Sequence, residues 1–171
     1  MSSRDGVRFH RRLEAFLRPG PNRNNCIERN NAIAVGLTPT AADEVSLYWI
    51  ENYGHPRCRL RMGTLRLDGF VSAHAGYSGG ELLTHPLRFK GSSLVLNYAT
   101  SVGGSIRVQI QEASGQAIAG YALEQTPELF GDQINHVLQW ENGSNVANLV
   151  GQLIRLCFVM QDADLYSVRF R

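Results

Sequence analysis

The chain has 171 residues, of which 43% are hydrophobic and 19% charged, and a formal net charge of +2. That length holds one ordinary domain, or a small domain with part of another. The near-balanced charge argues against a partner held by phosphate neutralisation, so no nucleic acid is expected. No run approaches the roughly 20 apolar residues of a spanning helix, so no membrane is expected either.

The first residues, MSSRDGVRFHRR, contain no apolar core of a signal peptide and open into a turn at Asp5-Gly6, so the cell compartment stays open. A long polar loop follows over residues 11–31. Strand-like runs then cover 32–36, 44–50 and 57–67, with Val45, Leu47 and Trp49 on one face of the second. Arg57, Arg59 and Arg61 alternate with Cys58, Leu60 and Met62, which reads as the wet face of a strand. After Gly63 the apolar positions switch from even to odd, at Leu65 and Leu67; a one-residue slip at a glycine predicts a β-bulge there.

A second Asp-Gly turn at Asp68-Gly69 ends this stretch. Further on, Leu94, Leu96 and Tyr98 share a strand face, as do Ile106, Val108 and Ile110, then Ile154, Leu156, Phe158 and Met160, and finally Tyr166, Val168 and Phe170. Gly79-Gly80, Gly103-Gly104, Ser114-Gly115 and Asn142-Gly143 read as turns between strands, and Asp162-Ala163-Asp164 as a hairpin turn. Only 126–131 and 145–150 carry a helical signal. Short strands at this spacing predict a sandwich or barrel.

The three cysteines, Cys26, Cys58 and Cys157, lie far apart with no CxxC, and His74, His85 and His136 have no close partners in sequence. No metal site is expected; buried free thiols are the plain reading, with one disulfide left open. No phosphate-cradling glycine loop and no GxSxG occur, and no cofactor is expected. Asp5, Asp68, Asp132, Asp162 and Asp164 fall mostly in turns, where aspartate caps the backbone. Trp140 ends an apolar run and reads as core.

Ser3-Arg4-Asp5-Gly6-Val7 and Arg66-Leu67-Asp68-Gly69-Phe70 are similar, and about three strand-like runs lie between them. A repeated turn around such a unit is the pattern of a propeller blade, and also of a plain pair of hairpins. The ordered strings Leu65–Ser72, Gly80–Thr84, Ser105–Gln111, Glu128–Asp132 and Asp162–Ser167, with Leu17-Arg18-Pro19-Gly20 upstream, resemble a family of bacterial glycosidase-like proteins. These join a five-bladed β-propeller, similar to that of glycoside hydrolase families 32 and 43, to a C-terminal β-sandwich. The resemblance implies an all-β fold: residues 1–75 as the last blade and end of a truncated propeller, and 76–171 as an antiparallel, jelly-roll-like β-sandwich.

Glycoside hydrolysis uses two carboxyl groups flanking the bond. One blade cannot build the funnel that supplies them, so no catalytic residue is expected in this chain. In a four-stranded meander the loops 11–31 and 51–56 lie at one end, which in the resembling propellers holds the active site. Glu51, Tyr53 and His55, with Asn30 or Asn31 nearby, are therefore the candidates for contact with sugar; a polar hairpin tip is the plainer reading. The expected function is that of a non-catalytic C-terminal piece of a glycoside-hydrolase-like protein, with carbohydrate as a partner through the parent. The alternatives are a free-standing carbohydrate-binding module and an intact small enzyme. The oligomeric state stays open.

Overall fold

The computed structural model describes the chain except residues 1, 2, 4, 12, 27–30, 142 and 144. It is all-β, with two antiparallel sheets and three single-turn 3₁₀ helices. The chain divides into two compact units, Met1–Leu67 and Asp68–Arg171.

The first unit holds a three-stranded meander: β1 (Thr38–Pro39), β2 (Glu44–Glu51) and β3 (Arg59–Arg66), in that order. Residues 31–34 extend the β1 edge, through Asn31 N to Ile50 O at 2.9 Å and Ala34 N to Tyr48 O at 2.8 Å. The bulge predicted at Gly63 is absent. The β2–β3 ladder runs unbroken from Glu44 opposite Arg66 to Glu51 opposite Arg59, with Leu47 opposite Gly63. Glycine is required there for space, because a Cβ would sit 2.9 Å from the Trp49 ring.

Without a bulge, the slip in apolar phase has a different consequence. Directly opposed residues share a face. One face carries Val45, Leu47, Trp49 and Leu65; the other carries Tyr48, Ile50, Leu60 and Met62. Both faces of this sheet are thus apolar over part of their length. Val45 and Leu47 are buried, whereas Leu60 and Met62 are 65% and 57% exposed.

The second unit is one five-stranded sheet built on a long hairpin-like pair, β6 (Leu94–Glu112) and β8 (Ile154–Phe170). The strands β4 (Ala73–Ala75) and β5 (Gly80–Leu83) both pair with the outer edge of β8, and β7 (Asp132–Val137) pairs with β6. The sequence boundary at 75/76 places β4 with the first unit; its pairing with Ala163, Asp164 and Leu165 is within the second, and the division falls at Leu67/Asp68.

Two turn signals of the sequence are not turns between strands: Gly103-Gly104 lies inside β6 and Asp162 lies inside β8. Gly79-Gly80 does end a turn between strands, with Gly79 N donating to Gly76 O at 2.9 Å between β4 and β5, which both pair with β8. These three places are neighbours in the sheet. The register jumps from Thr100 opposite Ala163 to Ser105 opposite Gln161, and Asp162 N donates to Gly76 O at 3.0 Å. Asp162 has φ +42°. Adjacent strands that bend together make a corner in a sheet. A further slip leaves Tyr166 as the extra residue of a bulge, so Leu165, not Tyr166, joins the core row.

The connected hydrophobic cluster of buried residues lies in this unit. It joins Leu94, Leu96 and Tyr98 on one side of the corner to Ile106, Val108 and Ile110 on the other, with Ile154, Leu156 and Phe158 beside them. Trp140 is buried as expected: its Nε1 donates to Val108 O at 3.3 Å and its ring meets Tyr121 edge-on. Of the two helical signals, 145–150 contains one 3₁₀ turn, Ala147–Leu149. The stretch 126–131 is extended, and Leu129 bridges to Ile106. Ser114-Gly115 also closes a turn, after β6, through Gly115 N to Glu112 O at 2.9 Å. At Asn142-Gly143 the first residue lies outside the described residues, but Gly143 N donates to Trp140 O at 2.8 Å.

Candidate functional site

The connection between β2 and β3 depends on asparagine. Asn52 has φ +55° and Gly54 φ +75°, conformations open to few residue types. Asn52 is buried, and each of its polar groups is used. Its N–H donates to Asn25 Oδ1 at 2.8 Å, its Oδ1 accepts from Asn22 Nδ2 at 3.1 Å, and its Nδ2 donates to Arg57 O at 3.3 Å. Asn22 in turn caps the 3₁₀ turn Arg23–Asn25. This network brings the loops 11–31 and 51–56 together, as the meander geometry predicts.

The three candidates on this hairpin have different surroundings. Glu51 is bound on both oxygens: Arg59 donates to Oε2 at 2.8 Å, and Arg61 Nε lies 3.6 Å from Oε1. The arginines of the alternating run thus gather on one carboxylate. Both carboxylate oxygens are thereby taken up by guanidinium groups. His55 Nδ1 accepts from Arg57 N at 3.3 Å, a contact within the turn. Tyr53 is 39% exposed. Asn30 lies outside the described residues; Asn31, at φ +56°, pairs through its backbone with β2.

In the second unit, Asp164 Oδ1 accepts from Ser72 Oγ at 2.6 Å and lies 3.1 Å from His74 Nδ1. Serine and histidine both bind the aspartate and not each other, so this is no nucleophile–base pair. Asp68 Oδ2 accepts from Ser167 Oγ at 2.6 Å. Of the turn aspartates, Asp5 keeps that role. Its Oδ1 accepts from Arg8 N at 2.7 Å and Val7 N at 2.9 Å, and these bonds hold its carboxyl below the usual range. Among the described residues, no group of three His, Cys, Asp or Glu side chains is placed to hold a metal ion.

Chains of known families, curated proteins and solved structures offer no match to this one. The second unit also holds an open cleft of about 350 Å³ that period-two alternation and turn chemistry do not mark, lined by Ala119, Gly120, Tyr121, Asn145 and Asn148. Its only signals in the sequence are a glycine before a tyrosine and two asparagines three residues apart. All three cysteines are free; Cys26 and Cys58 are exposed, and Cys157 is buried.

Proposed function

We propose that the chain is a non-catalytic accessory module of a glycosidase-like protein: a blade-like sheet followed by a jelly-roll-like sandwich that supports a sugar-processing propeller. The observation that carries this reading is the two-faced sheet β1–β3. A sheet at the surface of a lone domain has one apolar face and one wet face. Tyr48, Ile50, Leu60 and Met62 form a second apolar face opposite Val45, Leu47, Trp49 and Leu65. Blades in a propeller are covered on both sides by their neighbours, and that pattern suits them. The corner through β4/β5, β8 and β6 supports the sandwich, because sandwiches turn strands from one layer to the next at such bends. The double ion pair on Glu51 supports the non-catalytic part.

The test is the solution behaviour of the whole chain. An uncovered apolar face drives association, so sedimentation velocity is expected to find concentration-dependent association that Leu60→Ser with Met62→Ser reverses. A chain that stays monomeric at about millimolar concentration would overturn the blade reading. Turnover of a panel of aryl glycosides by the chain alone, lost in Glu51→Gln, would overturn the non-catalytic reading.

A further inference from the structure

We infer that the cleft at Ala119, Gly120, Tyr121, Asn145 and Asn148 is a binding site for a single neutral sugar ring. The cleft is built, not incidental. The turn Ile118–Tyr121 closes through Tyr121 N to Ile118 O at 3.0 Å, with Gly120 at φ +91°. Tyr121 is buried against Trp140, and its hydroxyl proton is shared between Asn145 O at 2.9 Å and Asn148 Oδ1 at 2.8 Å. Asn145 Oδ1 accepts from Ala147 N at 2.8 Å. The side-chain oxygens of both exposed asparagines are thus engaged by other groups of the chain. The group each has left for a ligand is its NH₂, two N–H donors apiece.

The chemistry of the ligand follows from the lining. Among the described residues, no charged side chain lines the cleft. Anions are bound by cationic groups or by converging backbone N–H groups, and two amides without a cation favour uncharged acceptors. The volume lies at the low end of small-molecule pockets, which run about 300–1,000 Å³, and suits one ring. Hydroxyl and ring oxygens are the acceptors such a ring presents, and the tyrosine oxygen keeps a lone pair for a hydroxyl donor. The choice of a sugar over other neutral acceptors rests on the accessory reading above; the cleft and its donors do not.

The test uses the full chain, isotope-labelled, titrated with neutral monosaccharides and followed by backbone amide shifts. Saturable shifts at Gly120, Tyr121, Asn145 and Asn148 are expected, with a dissociation constant of about 1–10 mM for so few contacts. Asn148→Ala is expected to weaken binding about tenfold. Because it also removes a partner of Tyr121, a second variant keeps the proposal falsifiable. Ala119→Trp adds bulk at an exposed position, leaves the tyrosine network alone, and is expected to abolish binding with the same unfolding temperature. Absence of shifts at these four amides with every sugar overturns the site. Shifts confined to the hairpin residues 51–56 overturn it too, and place sugar contact at Tyr53 and His55. Equal binding of an acyclic polyol overturns the ring, and tighter binding of sulfate overturns the neutral ligand. None of these outcomes changes the aryl-glycoside or sedimentation results, so failure of the cleft and failure of the accessory reading are told apart.

Discussion

Cys157 illustrates how one side chain's surroundings set its chemistry. It lies on β8 with its Sγ donating to Glu81 Oε1 at 2.8 Å on the neighbouring β5, and it is 1% exposed. Burial, followed by the carboxylate beside it, pushes the thiol up to about 12. The thiolate is the nucleophile, so this cysteine is inert while the chain is folded. A thiol-exchange titration at about pH 8 is expected to count Cys26 and Cys58 quickly, and Cys157 only after denaturant is added. Rapid reaction of all three would contradict the burial. The sign of the pH dependence follows: the proton is held more tightly in the folded state, so the contribution is intact below the unfolded thiol's value of 9.0 and is lost as pH rises towards 12. His136 has the opposite sense. Burial lowers its value, so its contribution is present above 6.5 and fades as the solution becomes acidic.

At the scale of elements, the corner of the second unit is the feature with the most structural consequence. Gly104 faces it at close quarters: a Cβ there would lie 2.3 Å from Asp162 O and 2.8 Å from Gln161 O. Those are backbone atoms of the partner strand and cannot rotate aside. Gly104→Ala is expected to cost about 3 kcal/mol, read as a fall of about 10 °C in Tm. Gly103→Ala, where a Cβ meets nothing within 4 Å, is the matched control and is expected to be close to neutral. The same corner explains what was legible in the sequence. Period-two alternation located the core rows of β6 and β8, because side chains alternate whatever the partner strand is. It could not tell a hairpin turn from a corner. Glycine and aspartate supply positive φ or close approach in both, and the distinction lies in pairing partners about 60 residues away. The slip at Gly63 misled for a related reason. A switch in apolar phase is the same string whether the strand bulges or the sheet is apolar on both faces. The hairpin tip was legible because strand order in a meander dictates which loops meet. The cleft was not, since its asparagines matter only through which of their atoms the fold has already used.

At the scale of the whole molecule, the two units differ in what holds them. Every member of the hydrophobic core cluster, from Ala75 to Leu165, belongs to Asp68–Arg171. In Met1–Leu67 the buried apolar side chains among the described residues are Val45 and Leu47, and the other buried groups, Asn25, Ser46 and Asn52, are polar. Apolar burial is the main favourable term in folding, and below about 70–80 residues a core seldom supplies more than a few kcal/mol. A unit held by two apolar side chains and an asparagine network falls well short of that, and ordering its backbone opposes it residue by residue. Residues 68–171 produced alone are therefore expected to fold, with a cooperative thermal transition within about 5 °C of that unit's transition in the full chain. Residues 1–67 alone are expected to give no cooperative transition. Circular dichroism melts of the two pieces check both statements. A cooperative melt from 1–67 would mean that its two-faced sheet needs no covering, and would remove the main support for reading it as a blade. Failure of 68–171 to fold would mean that its core depends on the first unit. The accessory reading requires the opposite asymmetry, a self-sufficient second unit carrying a first unit whose sheet is completed by other surfaces.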